Sequence, residues 1–99
     1  MPAERETDAR AFYSGLLGIP EVPKPSGLTD RGGVWFENDS VKIHLGVDPE
    51  FRPARKAHPC LIVDDLAGFV QTLQSAGYPM VESYVNDPFG NRLELKQSL

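Results

Sequence analysis

Tyr84-Val85-Asn86-Asp87-Pro88-Phe89-Gly90-Asn91-Arg92-Leu93-Glu94-Leu95 is the stretch whose reading decides the fold. It predicts a strand, a tight turn and a second strand. Pro88 presets φ for the turn, and Gly90 or Asn91 takes the positive φ that closes it. Beyond the turn the residues alternate strictly. Leu93 and Leu95 face one way, while Arg92, Glu94 and Lys96 face the other. With the leucines on a core, Glu94 stands on the far side of a sheet. The function turns on what Glu94 meets there.

Upstream, the same grammar is spoken twice. Ala9, Phe12, Tyr13 and Leu16 form an apolar helical stripe that Thr7 or Asp8 can cap, Gly18 follows it, and Pro20 forbids its continuation. Residues 19–25 are extended, with Pro23 and Pro25 confining them to an edge strand or to irregular chain, and a loop spans 26–32. Strands are predicted over 33–37 and 41–47, joined by a turn at Asn38-Asp39-Ser40. In the second of these, Val41, Ile43, Leu45 and Val47 share one face, and Lys42 and His44 the other. A polar connector, 48–56, is expected to be a solvated linker.

The next strand, 57–63, puts His58, Cys60 and Ile62 on one face. Asp64 and Asp65 cap a second helix with the stripe Leu66, Phe69, Val70 and Leu73, and Gly77 ends it. A strand over 78–83 then leads into the opening stretch.

The duplication makes His44 and Glu94 equivalent positions, each polar and opposite an aliphatic ladder. The copies differ in two ways. His44 lies 26 residues after Gly18, but Glu94 lies 17 after Gly77, so the second copy is nine residues shorter and its 81–84 junction leaves almost no room for a turn. The first copy also lacks a counterpart to the strand that opens the second.

Composition bounds the function. Ninety-nine residues, 40% hydrophobic and 24% charged, suit one small globular domain. A net charge of −4 without a basic stripe gives no footprint for nucleic acid. No apolar run is long enough to span a membrane, and the first residues lack a signal-peptide pattern. A single cysteine excludes an intrachain disulfide and suits a reducing compartment, so a cytoplasmic protein is expected.

The pattern resembles the vicinal oxygen chelate superfamily, which includes glyoxalase I, extradiol dioxygenases, fosfomycin-resistance thiol transferases and bleomycin-binding proteins. The match is carried by Ala9-Arg10-Ala11-Phe12-Tyr13, Leu16-Leu17-Gly18-Ile19-Pro20, Ala57-His58-Pro59, Val63-Asp64-Asp65-Leu66 and the stretch from Asn86 to Leu95. It implies an α+β fold of two βαβββ modules, with a curled mixed sheet around a cleft. Module one would be 1–47, the linker 48–56 and module two 57–99 of a single domain, with the first strand of module one absent. It implies metal ligands on the first and last strands of a module. His58 matches the opening position of module two and Glu94 its closing one, while His44 closes module one.

Two imidazoles and a carboxylate suit a divalent ion, Fe, Mn, Zn, Ni or Co, with coordination positions left for substrate oxygens. Trp35, Tyr84 and Arg92 are the expected substrate-binding residues. Arg92 suits either an anionic group or an ion pair with a neighbouring carboxylate, and the pair is expected. Cys60 is expected to be a small buried residue. The resemblance implies a metal-dependent enzyme of the glyoxalase or dioxygenase type acting on a small oxygen-rich substrate, or else a metal-free protein that sequesters a small molecule. A homodimer is expected, because the missing strand leaves an open sheet edge.

Overall fold

The computed structural model describes all residues, Met1–Leu99. The chain is α+β, with two helical regions and two three-stranded sheets. It forms two compact units, Met1–Arg52 and Pro53–Leu99.

The first unit opens with helix α1, Glu6–Ala9, which runs directly into a π-helical segment, Arg10–Leu16. The helix begins two to three residues earlier than Thr7 or Asp8 as the cap would set it. Arg5 is the N-cap residue without a side-chain cap, and its Nε pairs with Asp8 at 2.8 Å. Asp8 thus lies in the first turn, where a carboxylate favours the helix dipole. The π register also moves the apolar stripe. Leu17 N–H donates to Phe12 O, five residues back, so Leu17 joins Phe12 and Tyr13 in the core while Leu16 is half-exposed. Gly18 closes the helix at φ +75°, and Ile19 N–H donates to Tyr13 O.

Strands β1 (Glu21–Val22), β2 (Val34–Glu37) and β3 (Lys42–Leu45) form an antiparallel sheet in that order. The Pro-bounded β1 is a two-residue edge strand, as the sequence predicts. Asn38 Oδ1 accepts from Ser40 N and Val41 N and shapes the β2–β3 turn. Phe36 and Val34 go into the core, where the Tyr13 ring stacks on Phe36 at 5.5 Å. By alternation Trp35 and Glu37 take the opposite face.

The second unit runs β4 (Cys60–Val63), α2 (Leu66–Ser75), β5 (Tyr84–Asn86) and β6 (Arg92–Gln97). Its sheet is mixed, in the order β4-β6-β5, with β4 parallel and β5 antiparallel to β6. Asp65 caps α2 by accepting from Gly68 N at 3.0 Å. Gln97 ties the helix start to the sheet, with Oε1 accepting from Leu66 N and Nε2 donating to Asp64 O. Leu73, Val85, Phe89, Leu93 and Leu95 are buried. Each such apolar side chain contributes about 1.5–3 kcal/mol by leaving water.

The strand predicted over 78–83 is reduced to one bridge, Val81 to Tyr84. The short junction explains this. Val81 and Tyr84 exchange both backbone hydrogen bonds around a two-residue turn in which Glu82 takes φ +57°. No helix is long and apolar enough to cross a membrane.

Candidate active site

The central strand of the second unit presents Glu94 in the middle of its sheet. In register it stands between Cys60 on β4 and Tyr84 on β5. Its aim depends on the 87–91 turn. The Asp87 carboxylate is buried and accepts from Phe89 N and Asn91 N at 2.8 Å and from Asn91 Nδ2 at 2.9 Å. Asp87 N donates back to Asn91 O, and Gly90 supplies the left-handed residue at φ +87°. The turn therefore fixes the β5–β6 register, and a one-residue slip would turn Glu94 into the core.

His58 reaches Glu94 from the chain just before β4. Its Nε2 lies 3.2 Å from Glu94 Oε1, and its Nδ1 lies 2.7 Å from the Lys56 carbonyl oxygen. A carbonyl only accepts, so Nδ1 carries the proton and donates. In the neutral ring Nε2 then holds a lone pair, directed at a carboxylate oxygen. Two electron-pair donors facing each other are satisfied by a proton or a cation between them. The side chains are 23% and 16% exposed, so the pair is mostly sheltered but still reachable from solvent.

The other polar residues of this face close around the pair. Tyr84 meets the His58 ring edge to face at 5.3 Å. The Arg92 guanidinium carbon lies 5.3 Å from the Tyr84 ring centroid. Lys96 Nζ is 3.7 Å from Glu94 Oε2. A recess of about 370 Å³ adjoins the cluster, lined by Val81, Glu82, Tyr84, Asn86 and Arg92 among others.

Two expectations are corrected here. Arg92 forms no ion pair, because its carboxylate neighbour Glu94 is engaged by His58 and Lys96 instead. Cys60 is exposed, because it shares the open face with His58 and Ile62 rather than the core face of β4.

The first unit builds a second polar group. Trp35 and His44 are register partners on β2 and β3, and their rings stack with centroids 3.5 Å apart. His44 Nε2 meets Glu37 Oε2 at 2.7 Å. The sequence singled out Trp35 and His44 but missed Glu37. The signal was present, since Glu37 shares the Trp35 face and ends the strand paired with β3. Neither unit converges three His, Cys, Asp or Glu side chains into a metal cage. A groove of about 510 Å³ in this unit carries several charged groups that are already engaged. Glu6 accepts from Gly33 N, Arg10 pairs with Glu21, and Lys24 donates to Gly32 O.

A chain of this architecture belongs to a class known from solved structures. A glyoxalase family protein from Bacillus anthracis is 39% identical, with a TM-score of 0.89, over 100% of this chain and 88% of its own. A glyoxalase/dioxygenase from Nostoc punctiforme is 20% identical, with a TM-score of 0.77, over 100% and 87%. A genomically encoded fosfomycin resistance protein from Listeria monocytogenes is 12% identical, with a TM-score of 0.73, over 100% and 86%. No family model matches the sequence, and no curated protein matches it. The chain belongs to the glyoxalase family of the vicinal oxygen chelate superfamily.

Proposed function

We propose that the protein is a metal-dependent enzyme of the glyoxalase or dioxygenase type, acting on a small oxygen-rich substrate, with His58 and Glu94 as ligands to a divalent ion. The observation that carries this reading is the hydrogen bond from His58 Nδ1 to Lys56 O. Such an outer contact orients a ligating imidazole and turns its Nε2 lone pair toward the metal position, here on the Glu94 side. Nε2 and Glu94 Oε1 then offer mixed nitrogen and oxygen donors, as Fe, Mn, Zn, Ni or Co accept. A variant of the fosfomycin resistance protein, similar in fold, was crystallised with Mn(II) and a dihydroxypropylphosphonic acid.

A bound divalent ion would supply Lewis acidity to adjacent substrate oxygens. The chain's own residues do the rest. Lys56 O and Tyr84 hold the His58 ring in place, Lys96 balances the outer oxygen of Glu94, and Tyr84 and Arg92 border the space beside the pair. His44 and Trp35 enter the proposal as a ligand and a stacking surface of the first unit, each to be judged by its own variant. To coordinate through Nε2, His44 would have to release Glu37.

Metal content of untagged protein tests the reading. Retention of about one ion per chain, lost in both His58→Ala and Glu94→Ala, is the expected result. Metal-free protein that gains no ion from added Mn, Fe(II), Co, Ni or Zn would instead support a sequestering role. We also propose a homodimer. Ile62 is 65% exposed on the edge strand β4, and β3 is an open edge of the first sheet. Light scattering at micromolar concentration checks this, and a monomer would exclude it.

A further inference from the structure

We propose that the recess beside Arg92 is a carboxylate subsite, so that the ligand of this face is a small monoanion. This rests on reading the His58–Glu94 face as the reactive site. The starting point is the guanidinium itself. Arg92, like Arg31, Arg52 and Arg55, pairs with no carboxylate, and it is held against the Tyr84 ring. An arginine steadied on an aromatic face presents its remaining N–H groups as a planar fork, the shape that matches a carboxylate.

Position adds to this. Arg92 is two residues from Glu94 on the same strand face, and Tyr84, which pairs across from Glu94 and meets the His58 ring, lines the recess with Arg92. Lys96 flanks Glu94 on the other side, which makes the face cationic at both ends in a chain of net charge −4. Asn86 is the register partner of Arg92 and lines the same recess. The volume of about 370 Å³ lies within the range of small-ligand sites. Glu82 sets the charge limit. It lines the recess from the tight turn at φ +57°, and its carboxylate opposes a second negative group. A monoanion is therefore favoured over a dianion.

Lactate and lactamide separate charge from shape, since they differ only in carboxylate against carboxamide. Both are titrated into the ¹⁵N-labelled full chain, without added metal, and followed by amide chemical shifts. Lactate is expected to move the Tyr84, Asn86 and Arg92 signals saturably. It should bind at least about tenfold more tightly than lactamide, as a charge-assisted contact predicts. Arg92→Gln should remove that advantage while keeping a dispersed spectrum, and Arg92→Lys should fall between. His58→Ala should lose metal retention yet keep the lactate response, which separates this proposal from the metal assignment. Lactate binding to Arg92→Gln as to the parent, or lactamide binding as well as lactate, would overturn it.

Discussion

The indole of Trp35 and the imidazole of His44 lie flat on each other, with centroids 3.5 Å apart and planes within 1°. His44 is thereby fixed on two sides, by the ring and by Glu37 Oε2 at 2.7 Å. Trp35 is the chain's single tryptophan, so its emission reports on the surroundings of this ring, the His44 contact included. His44→Ala is expected to change the emission and to cost about 0.5–1.5 kcal/mol of stability. Metal titration followed by the same fluorescence decides whether His44 takes part in binding. A metal-dependent change in the parent that is absent from His44→Ala assigns it as a ligand, and emission indifferent to metal removes it from the set.

Lys96 competes with any cation for Glu94, but from an exposed position, with 62% of its side chain accessible. Such a pair contributes little to folding. Lys96→Ala should leave stability within about 0.5 kcal/mol and raise metal affinity by roughly twofold to fivefold. Competition against a fluorescent chelator measures the affinity. A drop would mean that Lys96 supports Glu94 rather than opposing the metal.

The buried Asp87 carboxylate holds three donors of the turn that sets the β6 register. Removing it strands buried N–H groups, and Asp87→Ala should cost about 2–3 kcal/mol in urea unfolding. Asp87→Asn keeps an acceptor and should cost less. Metal retention should fall together with stability in Asp87→Ala, because Glu94 depends on that register.

Glu6 accepts a hydrogen bond from the Gly33 N–H, which holds its carboxyl below the ordinary value of 4.5. A carboxyl whose folded pKa is depressed stabilises the fold above its unfolded value. That contribution is lost as pH falls through the folded one. Urea midpoints taken between about pH 6 and about pH 3 should therefore decline on acidification, and Glu6→Gln should flatten part of that decline. Gly33 cannot be exchanged to make the same point. It sits at φ +85°, and a Cβ there would collide with the Leu45 carbonyl oxygen.

What the sequence determined by itself is what depends on near neighbours. The alternation of Leu93, Glu94 and Leu95 follows from the period of a strand, and Gly90 takes its positive φ because a tight turn requires one. Asp65 caps α2 through a hydrogen bond three residues long. The duplication and its short second copy were also legible, down to the cramped turn at Glu82-Ser83.

Tertiary structure decided the rest. Thirty-six residues separate His58 from Glu94, and only the parallel pairing of β4 with β6 brings Nε2 to Oε1. Helical periodicity assumed 3.6 residues per turn, so the wider π turn that replaces Leu16 by Leu17 escaped it. Arg92 kept its charge free because Glu94 had already turned to His58 and Lys96. Which residue stands inside a strand is a local matter of period, whereas which partner it meets across the sheet is set by strand order, and that order is fixed only when the whole unit packs.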